Sequence, residues 1–394
     1  MNVLYHHRTQ FTGIERVHIM GMVTGLQSLG HRVTVIGPPG TDVGREAGTP
    51  APGKRIGLAR WWRFISGHAP EILFECLEIL YNLYSMANLL LRLRSEKVDL
   101  IYERYALFQF GGVLAAAVKN IPIVLEVNDS ALIERTRSLR GRKMAGWLER
   151  KILGGADLIV TISSRFKEII ASSGIDEGRI QVLPNAIDPE ILSPREGGGR
   201  DVRAVHHLDG RLIIGFVGFF VPWHGLLFLL EVFARLSARH DHVHLLLVGD
   251  GPEKANLDAA IEQMNLTRRV TMTGYVPHDR VAEYLQVFDV AVMPDSNEHG
   301  SPMKIFEYLG MAKPVVAPRY APIEEVLSDG RTALLFQPGD ADGLYRALES
   351  LIEDGELRCR LGARGREAVL AGHTWRHNAL EVERGLVRVR RGDR

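Results

Sequence analysis

Short apolar runs of strand length alternate with helix-length segments along most of the chain, and this alternation constrains the fold more than any other feature. Val3–His6 is followed by a loop, a helix pattern over Val17–Leu29 ended by Gly30, and a second run at Val33–Gly37. That strand–loop–helix–strand order opens a doubly wound α/β domain. Runs at Val98–Tyr102 and Ile121–Val127 continue it, and Ser163 is placed to cap a helix over Ser164–Ala171. A second series begins at Leu212–Gly218 and repeats at Val243–Val248, Val270–Tyr275 and Val290–Pro294, with a helix expected over Val281–Phe288. The 394 residues suit two α/β domains of near-equal size.

The most informative stretch follows the run that ends at Pro294. Gly300 frees a turn, Ser301 is a good N-cap and Pro302 suits the first helical position, so a helix should start there. Its unpaired N–H groups and the positive end of its dipole would face the strand-end crevice, which is a site for phosphate. Lys304 adds a full positive charge to the same place. Glu307 lies one turn on, where a carboxylate repels phosphate but accepts hydrogen bonds from paired sugar hydroxyls. Diphosphate plus ribose is the inventory of a nucleotide-sugar. The same two residues also read as a solvent-exposed i,i+3 pair worth a few tenths of a kcal/mol, and residue types alone do not separate these readings.

Composition removes several classes. A net charge of +1 gives no argument for nucleic acid as a partner. Hydrophobic content of 46% and charged content of 24% describe a soluble globular enzyme. Cys76 and Cys359 lie far apart without metal-type spacing, so free thiols in a reducing cytoplasm are expected. The first residues run straight into a strand pattern, with no signal-peptide character, and no apolar run reaches the roughly 18–20 residues that span a bilayer. Gly13 does not belong to a G-x-G-x-x-G fingerprint, so a dinucleotide site at the first loop is not expected.

The run Ser301-Pro302-Met303-Lys304-Ile305-Phe306-Glu307-Tyr308-Leu309-Gly310-Met311-Ala312-Lys313-Pro314-Val315-Val316-Ala317, with Ile323-Glu324-Glu325-Val326 after it, resembles the donor-binding segment of glycosyltransferase family 4. The resemblance implies a GT-B fold, two Rossmann-like doubly wound domains facing a central cleft, and a retaining enzyme. It implies that Glu307 binds the donor ribose and that Gly300 with the helix start, Met303 included, cradles the diphosphate. Gln181–Asp188 resembles the family's Pro-Asn-Gly-Val-Asp segment, with Ala186 in place of glycine. Tyr275 and Val276 resemble the loop along the nucleobase. The implied domains are 1–192, a linker at 193–210, 211–372, and a C-terminal helix over 373–394 that crosses back to the first domain.

Two departures stand out. After Gly218, most family members carry an arginine and then a lysine before the glycine; here those positions hold Phe219 and His224, followed by Gly225. A protonated His224 would partly replace the lysine, with Lys304 supplying the missing fixed charge; a packing histidine is the plainer reading. In the family's E-x7-E motif the first position falls on His299, with Glu298 one residue earlier, and the two carry equal weight. Both count as catalytic candidates, as do Asn128, where many members have histidine, and the nearest carboxylate, Asp129; both also read as strand-end Asx turns. By the same resemblance Arg8, Gln10 and Gly13 are acceptor-side cleft candidates. Glu103 and Arg104 are acceptor-side candidates or equally a structural ion pair.

No metal or other cofactor is expected, because no Asp-x-Asp motif supplies hard oxygen ligands. The implied activity moves a sugar from a UDP- or GDP-sugar to a glycan or lipid-linked acceptor in cell-surface or extracellular polysaccharide synthesis. Two rivals remain: a sugar-nucleotide epimerase of the same fold, and a catalytically weak nucleotide-sugar-binding partner protein. Arg60–Phe64 is basic and aromatic, as an interfacial helix would be, and Leu80, Leu83, Tyr84, Ala87 and Leu91 recur at helical spacing. Core helix is the stronger reading there. Localisation is read as cytoplasmic, with peripheral contact at the inner face of the plasma membrane as the weaker alternative.

Overall fold

The computed structural model describes residues 1–9, 13–38, 71–133 and 141–391. Gln10 and the Arg60–Phe64 patch lie outside the described residues. The chain divides into two compact units, Met1–Leu183 with Trp375–Arg394, and Pro184–Thr374.

The first unit is built on six strands, β1 (Asn2–His6), β2 (Arg32–Ile36), β3 (Leu100–Arg104), β4 (Ile123–Val127), β5 (Leu158–Thr161) and β6 (Ile180–Val182). They form one parallel sheet in the order β2-β1-β3-β4-β5-β6. Both faces are covered, which is why the strands read as nearly continuous apolar runs. Alternate residues serve opposite faces. Leu4, Ile101, Ile123 and Leu125 pack under the helices Glu71–Ser95, Gly111–Lys119, Arg142–Gly154 and Ser164–Ala171. Val3, Tyr5, Tyr102 and Val124 pack under Gly13–Ser28 and Trp375–Arg391. The first helix starts four residues earlier than its apolar pattern, at Gly13 rather than Val17.

The C-terminal helix joins this unit because two glycines make room for it. A Cβ at Gly25 would lie 2.3 Å from the Trp375 carbonyl oxygen, and one at Gly21 would overlap the Trp375 ring. The His18 ring meets the same tryptophan edge-on at 5.6 Å.

In the helix Glu71–Ser95 the apolar stripe faces outward. Leu80, Leu83, Tyr84, Ala87 and Leu91 are exposed, whereas Asn82, Ser85, Leu89 and Leu93 face the sheet. The core reading of the stripe is therefore corrected. Buried Asn82 is satisfied by donating to the Phe108 carbonyl at 2.7 Å and accepting from the Phe110 and Gly111 amides.

The second unit carries β7 (Leu212–Val217), β8 (Val243–Val248), β9 (Val270–Met272), β10 (Val290–Val292), β11 (Val315–Pro318) and β12 (Ala333–Phe336). The parallel sheet runs β12-β11-β10-β7-β8-β9. The chain leaves β7 toward one edge and leaves β10 toward the other, so the strand order reverses between them. Open α/β sheets bind ligands in the crevice at the carboxyl ends of such a strand pair.

The unit boundary falls at 183/184, not at 192. The Ile187 amide donates to His373 O at 3.0 Å and Leu192 is buried in the second unit's core, so this segment packs with the later sheet. The Gly-rich stretch 193–210, read from composition as a linker, holds the helix Arg200–Val205 and buries Val202 in the same core.

Candidate functional site

The crevice in the second unit is framed by the loops that follow β7 and β10. The β7 loop turns at Gly218, whose φ of 150° favours glycine, and a Cβ there would come within 3.1 Å of Lys304 Cε. The loop ends in a short 3-10 turn, Pro222–His224, and Gly225 opens the helix Leu226–Arg239. The β10 loop passes Asp295 and closes a tight turn in which the Gly300 amide donates to Asn297 Oδ1 at 2.5 Å. It then enters the helix Met303–Gly310, every residue of which is buried.

That helix begins one residue later than expected. Pro302 is the N-cap and no side chain caps the helix. Ser301 is instead drawn to Asn185: its Oγ accepts from the Asn185 amide at 3.2 Å, and its carbonyl accepts from Asn185 Nδ2. Because the cap is a proline, no side chain takes up the helix's first amides, and only the Ile305 amide turns back, to the Pro302 carbonyl at 3.1 Å, among the bonds of the described residues.

Lys304 is 8% exposed and its ammonium sits 3.0 Å from His224 Nε2 and 4.9 Å from the centre of the Phe216 ring. His224 Nδ1 lies 2.6 Å from the Phe219 carbonyl oxygen, which only accepts, so the imidazole proton is on Nδ1 and Nε2 offers its lone pair to Lys304. Burial first, and the neighbouring Lys304 second, push the His224 pKa down to about 3, although the Phe219 contact opposes the shift. The histidine is therefore neutral near pH 7. The expected substitution of a protonated His224 for a lysine is corrected: a second cation 3.0 Å from Lys304 would be repelled.

Burial also lowers the Lys304 pKa, to about 8, with Glu307 opposing the shift. Glu307 is 5% exposed and burial raises its pKa, opposed by His278 and Lys304. His278 Nδ1 approaches Glu307 Oε1 at 3.8 Å. The solvent-exposed reading of the Lys304–Glu307 pair fails, because both residues are inside. One turn behind, Tyr308 Oη accepts from the Val217 amide at 2.9 Å and fixes the helix against the end of β7.

The remaining second-unit candidates sit at the surface. Phe219 and Tyr275 are 62% and 77% exposed, Val276 is partly buried against the core, Glu298 is exposed and His299 half-buried. Sequence reasoning missed Asp295, which accepts from Tyr320 Oη at 2.9 Å and packs beside Gly225, and it missed His278. Asp295 directly follows the β10 run, and that position was its only available signal.

In the first unit, Glu103 and Arg104 do not pair with each other. Neighbours on a strand point to opposite faces: Glu103 meets His6 Nδ1 on one side, and Arg104 meets Glu126 on the other. Ser85 Oγ lies 2.9 Å from His6 Nε2. Arg8 pairs with Glu78 at 2.6 Å, both largely buried. Asn128 Nδ2 donates to Glu126 Oε1 at 2.7 Å, Asp129 Oδ1 accepts from the Ser130 amide at 2.9 Å, and Gly13 opens the first helix.

Among the described residues one group has metal-ligand proximity: His240, Glu349 and Glu353, with ligand atoms within 4.8 Å of one another. Glu349 already takes Arg239 at 3.1 Å and Tyr345 at 2.7 Å. His240 follows the far end of the helix that starts at Gly225, roughly 20 Å from the crevice.

Two family models match the chain, Glycosyltransferase Family 4 over residues 12–191 and Glycosyl transferases group 1 over residues 211–354. Over 254 residues each, the chain is 24% identical to the alpha-D-kanosaminyltransferase and 26% identical to the 2-deoxystreptamine glucosyltransferase of Streptomyces kanamyceticus. These matches cover 63% and 62% of this chain and span just under two thirds of the relatives' lengths, 66% and 64%. Its fold is that of the Anabaena HepE structure in complex with UDP, with a TM-score of 0.73 at 16% identity over 98% of this chain and 100% of that one.

Proposed function

The chain belongs to glycosyltransferase family 4, and we propose from that premise that it transfers a hexose-type sugar from a nucleotide-sugar, with UDP or GDP as the carrier, to a glycan or lipid-linked acceptor. The observation that carries the proposal is the buried Lys304 ammonium at the entry of the Met303–Gly310 helix, with a neutral histidine as its near partner. A buried cation hydrogen-bonded to a neutral acceptor keeps most of its charge available to an incoming anion.

The departing nucleoside diphosphate would sit where the helix entry, the Gly218 turn and Lys304 converge, and its charge would be stabilised there as the sugar bond breaks. Glu307, one turn on, would accept from the ribose hydroxyls, and the exposed Tyr275–Val276 segment would lie along the base. The two-carboxylate glycosidase scheme is not invoked, since no side chain is assigned as a nucleophile. We place departure and attack on the same face of the donor sugar, with retention of configuration, and require no metal. The acceptor would be bound by the first unit, and the family resemblance favours cell-surface or extracellular polysaccharide.

The test is a transfer assay. UDP- and GDP-sugars are incubated with the protein, nucleoside diphosphate release is followed, and the anomeric configuration of the product is read by NMR. Release from one donor with retention supports the reading. Release with inversion contradicts the mechanism, and interconversion of the sugar without nucleotide release favours the epimerase alternative.

A further inference from the structure

Two helices that cover the same face of the second sheet end side by side, at the far end from the crevice. Leu229, Phe233 and Leu236 of Leu226–Arg239 and Leu344, Leu348 and Leu351 of Ala341–Glu353 lie in one apolar cluster. His240 is the C-cap of the first helix, and Glu349 and Glu353 occupy the closing turns of the second. His240 Nε2 stands 3.6 Å from Glu349 Oε1, and the ligand atoms of all three residues lie within 4.8 Å of one another. Nitrogen and oxygen ligands about 2.0–2.2 Å from a tetrahedral zinc are about 3.4 Å apart, so a small adjustment separates this arrangement from a coordination shell.

The neighbouring groups leave these charges poorly matched. Glu349 and Glu353 are one helical turn apart, where like charges repel, and Glu353 ends the helix, where the dipole disfavours a carboxylate. That last turn carries no basic residue. Arg358, from the following helix, donates to the Leu351 carbonyl and to the Ile352 carbonyl at 3.0 Å, not to either carboxylate. Arg239 reaches Glu349 Oε1 at 3.1 Å, but its side chain is 66% exposed, and an exposed pair of this kind is weak. His240 Nε2 is shielded from solvent and has no hydrogen-bond partner among the described residues. Tyr345 Oη donates to Glu349 Oε1 at 2.7 Å, the kind of supporting bond that orients a ligating side chain. Arg239, Tyr345 and His240 all approach that one oxygen, so Oε2 takes no bond among the described residues.

We propose that His240, Glu349 and Glu353 bind one zinc ion, which pins the ends of the two helices together. The imidazole selects zinc over magnesium and calcium, which take oxygen ligands. Zinc exchanges the weak Arg239 contact for a divalent charge that serves both carboxylates, and it gives the buried Nε2 a partner. The ion takes no part in sugar transfer, since His240 follows the far end of the helix that starts at Gly225. The site stands whether or not the crevice binds a nucleotide-sugar.

The experiment is calorimetric titration of zinc chloride into the full chain, stripped of metal with EDTA and desalted, with thermal midpoints measured alongside. The wild type should take up zinc at a site that calcium does not fill, and its midpoint should rise with zinc, because the ion binds the folded state. His240→Ala and Glu353→Gln should each weaken that binding by about tenfold or more, at least the cost of disturbing a supporting contact. Glu353 is exposed, so Glu353→Gln reads the site even if the histidine variant unfolds. Arg239→Ala should tighten zinc binding by about two- to fivefold, since an exposed ion pair no longer competes for Glu349. No zinc uptake by the wild type, or uptake undiminished in Glu353→Gln, would overturn the proposal. So would an equal response to calcium, which would make the cluster an acidic patch and not a site built on an imidazole.

Discussion

The Lys304 ammonium and His224 Nε2 are 3.0 Å apart, and the proton geometry of the histidine is set from its other side by the Phe219 carbonyl. The histidine is thus an acceptor that aims the lysine. One cation, not two, serves the crevice from these positions.

Removing that cation should be costly. Lys304→Ala is expected to lower the rate of sugar transfer by about tenfold or more, the scale of one charge-assisted hydrogen bond to a phosphate. Steady-state rates with the preferred donor check it. An unchanged rate would remove Lys304 from the diphosphate site.

If His224 aims Lys304, the shape of its replacement matters more than its charge. His224→Gln retains an acceptor for Lys304 and a donor for Phe219, and should keep nucleotide affinity within about threefold. His224→Leu leaves the ammonium unpartnered and should weaken binding by about tenfold. Dissociation constants for the two variants distinguish aiming from simple packing.

Lys304 titrates low because it is buried, at about pH 8 in the folded protein against an ordinary 10.5. The charged form needed to meet a diphosphate is full below that pH and is lost as pH rises through it. Nucleotide affinity should therefore fall between about pH 8 and 10, with Glu307 and His224 as the titratable neighbours and His224 already neutral. The opposite sign holds for stability of the empty protein: a lysine with a depressed pKa makes folding more favourable as pH rises toward 10.5. Binding titrations and thermal midpoints across this range should move in opposite directions.

The first unit offers a test of packing. Gly25→Leu drives a side chain into the Trp375 backbone and should cost about 1–3 kcal/mol or detach the C-terminal helix. Denaturant unfolding, with protease sensitivity of the last helix as a second readout, checks this. A stable variant with a protected C-terminus would mean that the helix is held elsewhere.

What could be read in the sequence was local. Strand-length runs such as Val243–Val248 and the Ser163 cap depend on neighbours within a few residues, and both stand in the structure as expected. So does the doubly wound architecture, because apolar runs covered on both faces have few other arrangements. The illegible part was long-range. Ser301 was read as a cap because its spacing allows it, yet Asn185, 116 residues away, takes it instead. Periodicity showed that the helix Glu71–Ser95 has an apolar stripe but not which way it faces, since burial of Asn82 and Ser85 rests on Phe108 and His6, which folding brings to them. The protonation of His224 was equally hidden, being set by Phe219 and Lys304 together.

The most direct measurement is calorimetric titration of UDP, GDP, dTDP and ADP into the wild type and Glu307→Ala, with and without EDTA. The account predicts micromolar binding of one nucleotide, insensitive to EDTA and weakened by about tenfold or more in the variant, where the ribose loses its acceptor. Binding of none of the four to the wild type, or equal binding by Glu307→Ala, would contradict the donor site.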